Sequence, residues 1–225
     1  MRKPLADNSK HWQSATPADT EALGAKLAAS LVASTPAPRT GESPALSEAS
    51  ARAASATPPA HSGALSPAPP ASSQRSDAPL RAPELAAPSK LASGAQPDAL
   101  RVVYLKGDLG AGKTTLARGF LHALGVTGAI RSPTYTLLET YDADALTVVH
   151  LDLYRLRDPS ELEPLGLRDL ALPGYLWLIE WPERGAGWLP PPDLEVRLLV
   201  GDTSHRIEAR GVSELGSAWL QRIDA

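Results

Sequence analysis

The eight residues Gly107-Asp108-Leu109-Gly110-Ala111-Gly112-Lys113-Thr114 constrain the fold more than any other part of this chain. They match G-x-x-x-x-G-K-[ST] without a mismatch. "RVVYLKG" (101–107) before them reads as a strand, and "KTTLARGFLHALG" (113–125) after them as a helix ended by Gly125. A strand that feeds a glycine-rich turn and then a helix opens an α/β fold. The glycines let backbone N–H groups turn inward around phosphate oxygens, where side chains would collide. The helix N-terminus at Lys113 adds the positive end of its dipole. Lys113 is suited to neutralise β/γ-phosphate charge, and the Thr114 hydroxyl to bind Mg2+. Residues 107–114, with Thr115, are therefore the nucleotide-binding candidates.

The rest of the chain supplies the other elements such a fold requires. "SPTYTLLETY" (132–141) begins as a loop and turns into a strand, and "ALTVVHLDL" (145–153) is a second strong strand. "DPSELEPLG" (158–166) opens a short helix with Asp158 as cap and Pro159 at its first position. "YLWLIEW" (175–181) is a further apolar strand. "LEVRLLVG" and "HRIEARG" make a hairpin over "DTS", and "SELGSAWLQRI" is a terminal helix. This order predicts an α/β fold: a P-loop NTPase-like three-layer sandwich with a mostly parallel central sheet and an antiparallel extension.

Composition divides the 225 residues unevenly. From 34 to 98 there is no Val, Ile or aromatic residue, and 12 of the 22 prolines lie there. Such a stretch cannot bury enough apolar area to offset about 1–2 kcal/mol of backbone entropy per ordered residue. It is expected to be a disordered Ala/Pro/Ser-rich insertion. Ahead of it, residues 1–14 are expected to be a flexible N-terminus and 15–33 a helix of the same domain. In that helix Thr16 is the cap, Pro17 takes the first position, Asp19 completes a capping box, and Leu23, Leu27 and Leu31 form an apolar stripe. Residues 99–225 carry the remainder of the phosphate-loop domain, and about 125 residues provide one domain's worth of core.

No cysteine is present, so neither a disulfide frame nor a thiolate metal site can form. No apolar run approaches the ~20 residues needed to span a bilayer, and the N-terminus has no apolar signal core. A cytoplasmic protein without a membrane role is expected. The net charge of −3 argues against a self-sufficient nucleic-acid surface, and no DNA is expected as partner.

A phosphate loop needs a carboxylate to complete the metal site, usually at the C-terminal end of a neighbouring strand. Asp152 follows "LTVVHL" and Glu180 follows "YLWLI". One suits Mg2+, directly or through water, and the other an attacking water, with the assignment open between them. Ser132 or Thr134 in "SPTYT" could sense the γ-phosphate. Trp181 beside Glu180 is either core filler or a stacking or partner surface. His122, His150 and His205 lack metal-ligand spacing and receive no role. Asn8 is the sole asparagine, so no guanine-reading N-K-x-D segment exists and ATP is favoured over GTP. A small-molecule kinase would need an Arg-rich lid for which so small a core has little room. That reading and a non-catalytic ATP-binding adaptor stand as alternatives.

"GDLGAGKTTLARG", "SPTYTLLETY", "HLDLYRLRDPSELEPLGLRDL", "LIEWPERG" and "LPPPDLEV" occur in the order and at the spacing of the TsaE family, formerly YjeE, which this chain resembles over 100–210. "TPADTEALGAKLAASL" is similar to that family's first helix. The family joins this helix to the next strand in a few residues, whereas here about 65 low-complexity residues intervene. Loop-closure entropy grows slowly enough with length to tolerate such an insertion.

The resemblance implies Mg2+-dependent ATP hydrolysis in the threonylcarbamoylation of adenosine-37 of ANN-decoding tRNAs. The chain would act as a switch on the TsaD and TsaB proteins and meet tRNA only through that complex. It implies Lys113 as phosphate-loop lysine, Thr114 as Mg2+-binding hydroxyl, Glu180 as metal-site carboxylate and Asp152 as the acid needed for turnover. It implies a switch loop of Ser132, Pro133, Thr134, Tyr135 and Thr136, with Trp181 as a partner or switch residue. Thr16, Thr20 and Arg206 fall near its base-contacting positions.

Overall fold

The computed structural model describes residues 8–32, 100–143 and 146–224. The 34–98 insertion expected from composition lies outside the described residues. The elements are β1 (Ser9–Ser14), α1 (Pro17–Val32), β2 (Arg101–Gly107), α2 (Lys113–Ala123), β3 (Leu138–Ala143), β4 (Leu146–Asp152), β5 (Tyr175–Glu180), β6 (Leu194–Leu199), β7 (His205–Gly211) and α3 (Glu214–Gln221).

Among the described residues, seven strands form one sheet in the order β1-β7-β6-β2-β5-β4-β3. Its centre, β6-β2-β5-β4, is parallel. The flanks, β1-β7-β6 on one side and β3 on the other, are antiparallel. The expected mixed sheet is what forms. Of the central strands, β5 is buried from Leu176 to Glu180 and β2 from Arg101 to Val103 and at Leu105, as a sheet covered on both faces requires.

One face is covered by the three α-helices. Leu23, Leu27 and Leu31 of α1 are buried with Leu116 and Phe120 of α2 and Trp219 of α3. The Trp219 indole N–H donates to the Leu27 carbonyl at 2.8 Å and to Ser30 Oγ at 2.9 Å, tying α3 to α1. α1 begins as its sequence indicates: Thr16 Oγ1 accepts from the Asp19 N–H, and Asp19 accepts from the Thr16 N–H. Helices α1 and α2 meet backbone to backbone. A Cβ added at Gly119 would lie 1.9 Å from the Glu21 carbonyl oxygen, and one at Gly24 would lie 2.2 Å from that of Leu116.

The other face is thinner. Val149, Leu151, Trp177 and Ile179 are covered by 3-10 turns at Pro159–Leu165 and Leu167–Leu170, not by an α-helix. Asp158 and Glu161 form a capping box at the start of the first turn. Pro164 inside it and Gly166 (φ +63°) after it prevent the turn from growing into an α-helix.

The expectation of a flexible stretch over 1–14 is corrected in part by β1. Residues 9–14 pair antiparallel with 205–210, in register from Ser9↔Arg210 to Ser14↔His205. "SKHWQS" carries one large apolar residue, Trp12, which packs against the helix-side core, and Ser14 is buried at its end. The unpaired edge of β7 supplies the rest of the driving force, and a sheet edge is not visible from the segment that covers it.

Candidate functional site

The phosphate loop runs from the end of β2 to the start of α2. Gly107 has φ +140°, and a Cβ there would lie 2.3 Å from the Leu198 carbonyl oxygen on β6, so only glycine fits. Gly112 has φ +96° and caps α2, with the Leu116 N–H donating to its carbonyl at 2.9 Å. The loop turns tightly through the Ala111 N–H to the Asp108 carbonyl, leaving Leu109 exposed and Ala111 buried.

Lys113 is almost fully buried. Its Nζ donates to the carbonyls of Gly107 and Asp108, both at 2.8 Å, and sits 3.9 Å from the centroid of the Trp181 ring. Burial lowers the ammonium's pKa from its ordinary value, and the Glu180 and Asp152 carboxylates work in the opposite direction. Trp181 takes a left-handed backbone (φ +58°), with its N–H bonded to the Leu105 carbonyl. Its ring stacks obliquely on Tyr154 at 5.0 Å, and the Arg184 guanidinium lies over both rings. Trp181 thus roofs the phosphate-loop lysine while packing, partly buried, against the core of the thinner face.

Asp152 and Glu180 come together because β4 and β5 pair in parallel with these two residues in register. Both are buried and end their strands beside the phosphate loop. Thr114 Oγ1 donates to the Glu180 carboxylate, with 3.0 Å to each oxygen. His150 Nε2 lies 3.0 Å from Glu180 Oε1. Asp152 is held differently. Its Oδ2 accepts from Ser132 Oγ and from Thr134 Oγ1, the latter at 2.6 Å, and its Oδ1 accepts from the Tyr154 N–H at 2.9 Å. Glu180 is therefore the carboxylate against the phosphate-loop threonine, and Asp152 the one against the loop hydroxyls.

Ser132 and Thr134 thus tie the 132–136 loop to the end of β4. Pro133 is buried, and its carbonyl accepts from the Leu137 N–H at 2.7 Å, while Thr136 Oγ1 is 3.5 Å from the same oxygen. Tyr135 is 84% exposed, with the Arg155 guanidinium 4.5 Å from its ring. A pocket of about 320 Å3 opens between the phosphate loop and the 132–136 loop, lined by Gly110, Gly112, Lys113, Thr114, Thr115, Ser132, Thr134, Asp152, Glu180 and Trp181 among others.

The three residues expected near the base, Thr16, Thr20 and Arg206, do not line it. Thr16 is engaged in capping α1. Thr20 is buried under the loop, its Oγ1 bonded to Ser14 Oγ at 2.6 Å and its methyl 3.6 Å from where a Gly112 Cβ would sit. Arg206 lies exposed on β7, paired with Glu208 at 2.9 Å. Conversely, His150 received no role from spacing, yet it is fully buried against Glu180. The available signal was strand alternation: two residues before Asp152, it shares that residue's face of β4.

The donors at the pocket are hard oxygens, the Thr114 hydroxyl and the Glu180 and Asp152 carboxylates. They are few, which suits Mg2+, an ion that keeps several waters and completes its shell with substrate phosphates.

The sequence and the fold both have counterparts among known proteins. Residues 83–208 match the family model for threonylcarbamoyl adenosine biosynthesis protein TsaE. The tRNA threonylcarbamoyladenosine biosynthesis protein TsaE of Haemophilus influenzae is 49% identical over 115 residues, 51% of this chain and 73% of that protein. Its namesake in Rickettsia felis is 47% identical over 107 residues, 47% of this chain and 62% of that protein. That of Streptomyces coelicolor is 39% identical over 123 residues, covering 52% and 82%. The crystal structure of Bacillus subtilis YdiB superposes with a TM-score of 0.55 at 20% identity, over 96% of this chain and 94% of that one, which shows a common fold. With the family model and these relatives in agreement, the chain belongs to the TsaE family.

Proposed function

We propose that this protein is a Mg2+-dependent ATPase serving tRNA threonylcarbamoyladenosine biosynthesis, the process for which its relatives are named. The observation that carries the reading is the contact of Thr114 Oγ1 with both oxygens of Glu180, a hydroxyl–carboxylate pair at the mouth of a phosphate loop. Mg2+ held there would neutralise phosphate charge and order the nucleotide. Lys113 would leave the Gly107 and Asp108 carbonyls to meet the β- and γ-phosphates, while loop N–H groups bind their oxygens. Asp152 would orient and deprotonate the attacking water.

The size of the domain favours a switch over an enzyme with its own second substrate. Ser132 and Thr134 tie the 132–136 loop to Asp152, so a change at the γ-phosphate passes through that bond to the exposed Tyr135. The receiver would be the TsaD–TsaB pair, with tRNA met only through that complex, in the cytoplasm. Free protein should turn over ATP slowly.

The test is ATP turnover by the protein alone and with TsaD and TsaB, wild type beside Glu180→Gln. Slow turnover, raised several-fold by the partners and lost in the variant, is expected. Turnover indifferent to the partners but stimulated by a small-molecule acceptor would replace the switch with a kinase.

A further inference from the structure

His150 is a fully buried residue of β4, one strand in from the edge of the sheet, and among the described residues its side chain has one hydrogen-bond partner, the metal-site carboxylate. Its Nε2 is 3.0 Å from Glu180 Oε1, and its Nδ1 finds no hydrogen-bond partner among the described residues. A buried polar atom without a partner costs about 1–3 kcal/mol, and an apolar side chain would avoid that cost. Packing alone therefore gives no reason for histidine here. The ring also has no partner that would hold a second orientation: Tyr141 lies 6.4 Å away between centroids, and its hydroxyl donates to Glu139 instead.

We propose that His150 is a positioning residue for Glu180. With its ring proton on Nε2, it donates to Oε1 from the side of the carboxylate away from the open pocket, while Thr114 donates from α2. Two donors from separate elements hold the carboxylate plane, so both oxygens keep a lone pair for an incoming hydrated cation. An acid held by Thr114 alone would rotate about its last torsion, a broad and weakly restrained one. Donors placed behind ligating groups in this way tune metal affinity by about 10- to 100-fold. The inference deepens the proposed function and rests on its assignment of Glu180 to the metal.

The test compares His150→Gln, His150→Asn and His150→Leu. Glutamine places an N–H donor where Nε2 stands, asparagine places one nearer the position of Nδ1, and leucine has none. For each we would measure magnesium-free ADP affinity, Mn2+ affinity of the protein–ADP complex by EPR, the kcat and KM for ATP, and the melting temperature. The leucine and asparagine variants should keep ADP affinity within about twofold, weaken Mn2+ binding about tenfold or more and lose kcat about 10- to 100-fold. The glutamine variant should recover to within about threefold of wild type. Should the leucine variant fail to fold, the glutamine–asparagine pair carries the comparison. Mn2+ affinity unchanged in the leucine or asparagine variant would overturn the proposal, as would equal losses with glutamine and asparagine. Wild-type protein that binds ADP and Mn2+ but hydrolyses nothing would refute the ATPase reading while the Mn2+ comparison still decides His150. Wild-type protein that binds neither would overturn both.

Discussion

Thr114 Oγ1 stands 3.0 Å from each oxygen of Glu180, so a single hydroxyl from the first turn of α2 spans the carboxylate that ends β5. Glu180→Gln leaves the shape of this contact but puts an amide where two acceptors stood. Turnover should fall about a hundredfold or more, the scale for losing a preorganised electrostatic group at a reacting centre. Nucleotide affinity without metal should hold within a few-fold, because Lys113 and the loop N–H groups are untouched. Single-turnover hydrolysis beside ADP titration checks this; a variant that hydrolyses normally would remove Glu180 from the metal site.

Gly119 makes the α1–α2 contact possible. Gly119→Ala would drive a methyl to within 1.9 Å of the Glu21 carbonyl oxygen, backbone that cannot step aside without moving α1. The better helix propensity of alanine, about 1 kcal/mol, does not offset the overlap. A net loss of about 2–3 kcal/mol is expected, read as a lower urea midpoint. An unchanged midpoint would mean that the two helices separate freely.

Glu195 on β6 links the central sheet to its antiparallel flank. Its carboxylate accepts from Lys106 at 2.7 Å and from Arg210 at 3.0 Å. Burial raises its pKa, but the two cations outweigh burial and hold it below the ordinary value of 4.5. A carboxyl lowered in the folded state adds stability at pH above its unfolded value, and that stability is lost as pH falls through the folded value. Glu195→Gln should therefore melt lower than wild type near neutrality, by the equivalent of about 0.5–1 kcal/mol for so exposed a set of partners. The difference should close as pH falls below 4.5. Melting curves across that range measure it, and a gap that widens with acid would reverse the assignment.

The composition of 34–98 predicts that this stretch contributes nothing to the nucleotide site. Replacing 36–97 with a short Gly-Ser bridge should leave ADP affinity unchanged and the melting temperature within a few degrees, since shortening a loop lowers its closure entropy only slightly. Equilibrium dialysis and calorimetry on the shortened chain decide this. Lost binding would make the insertion part of the fold.

Much of the site was legible because its signals are local. The spacing of Gly107, Gly112, Lys113 and Thr114 implied a strand–loop–helix unit, and the positions of Asp152 and Glu180 after apolar runs put them at strand ends. Thr16, Thr20 and Arg206 were proposed for the base on resemblance, and none of them lines the pocket. Thr16 and Arg206 are occupied by neighbours within their own elements, and Thr20 supports Gly112 from beneath.

The sequence by itself determined the order of the elements from α1 onward and the strand–loop–helix form of the phosphate loop, because periodicity, caps and glycine turns are properties of neighbouring residues. Tertiary structure alone decided which carboxylate meets Thr114, that both Ser132 and Thr134 reach Asp152, that His150 stands behind Glu180, and that residues 9–14 close an edge of the sheet. Each of these depends on the register between segments far apart in the chain. The β4–β5 pairing sets Asp152 beside Glu180, and the β7–β1 pairing joins residues nearly two hundred apart in sequence. Register is chosen by the burial of whole faces at once, so no single segment carries it.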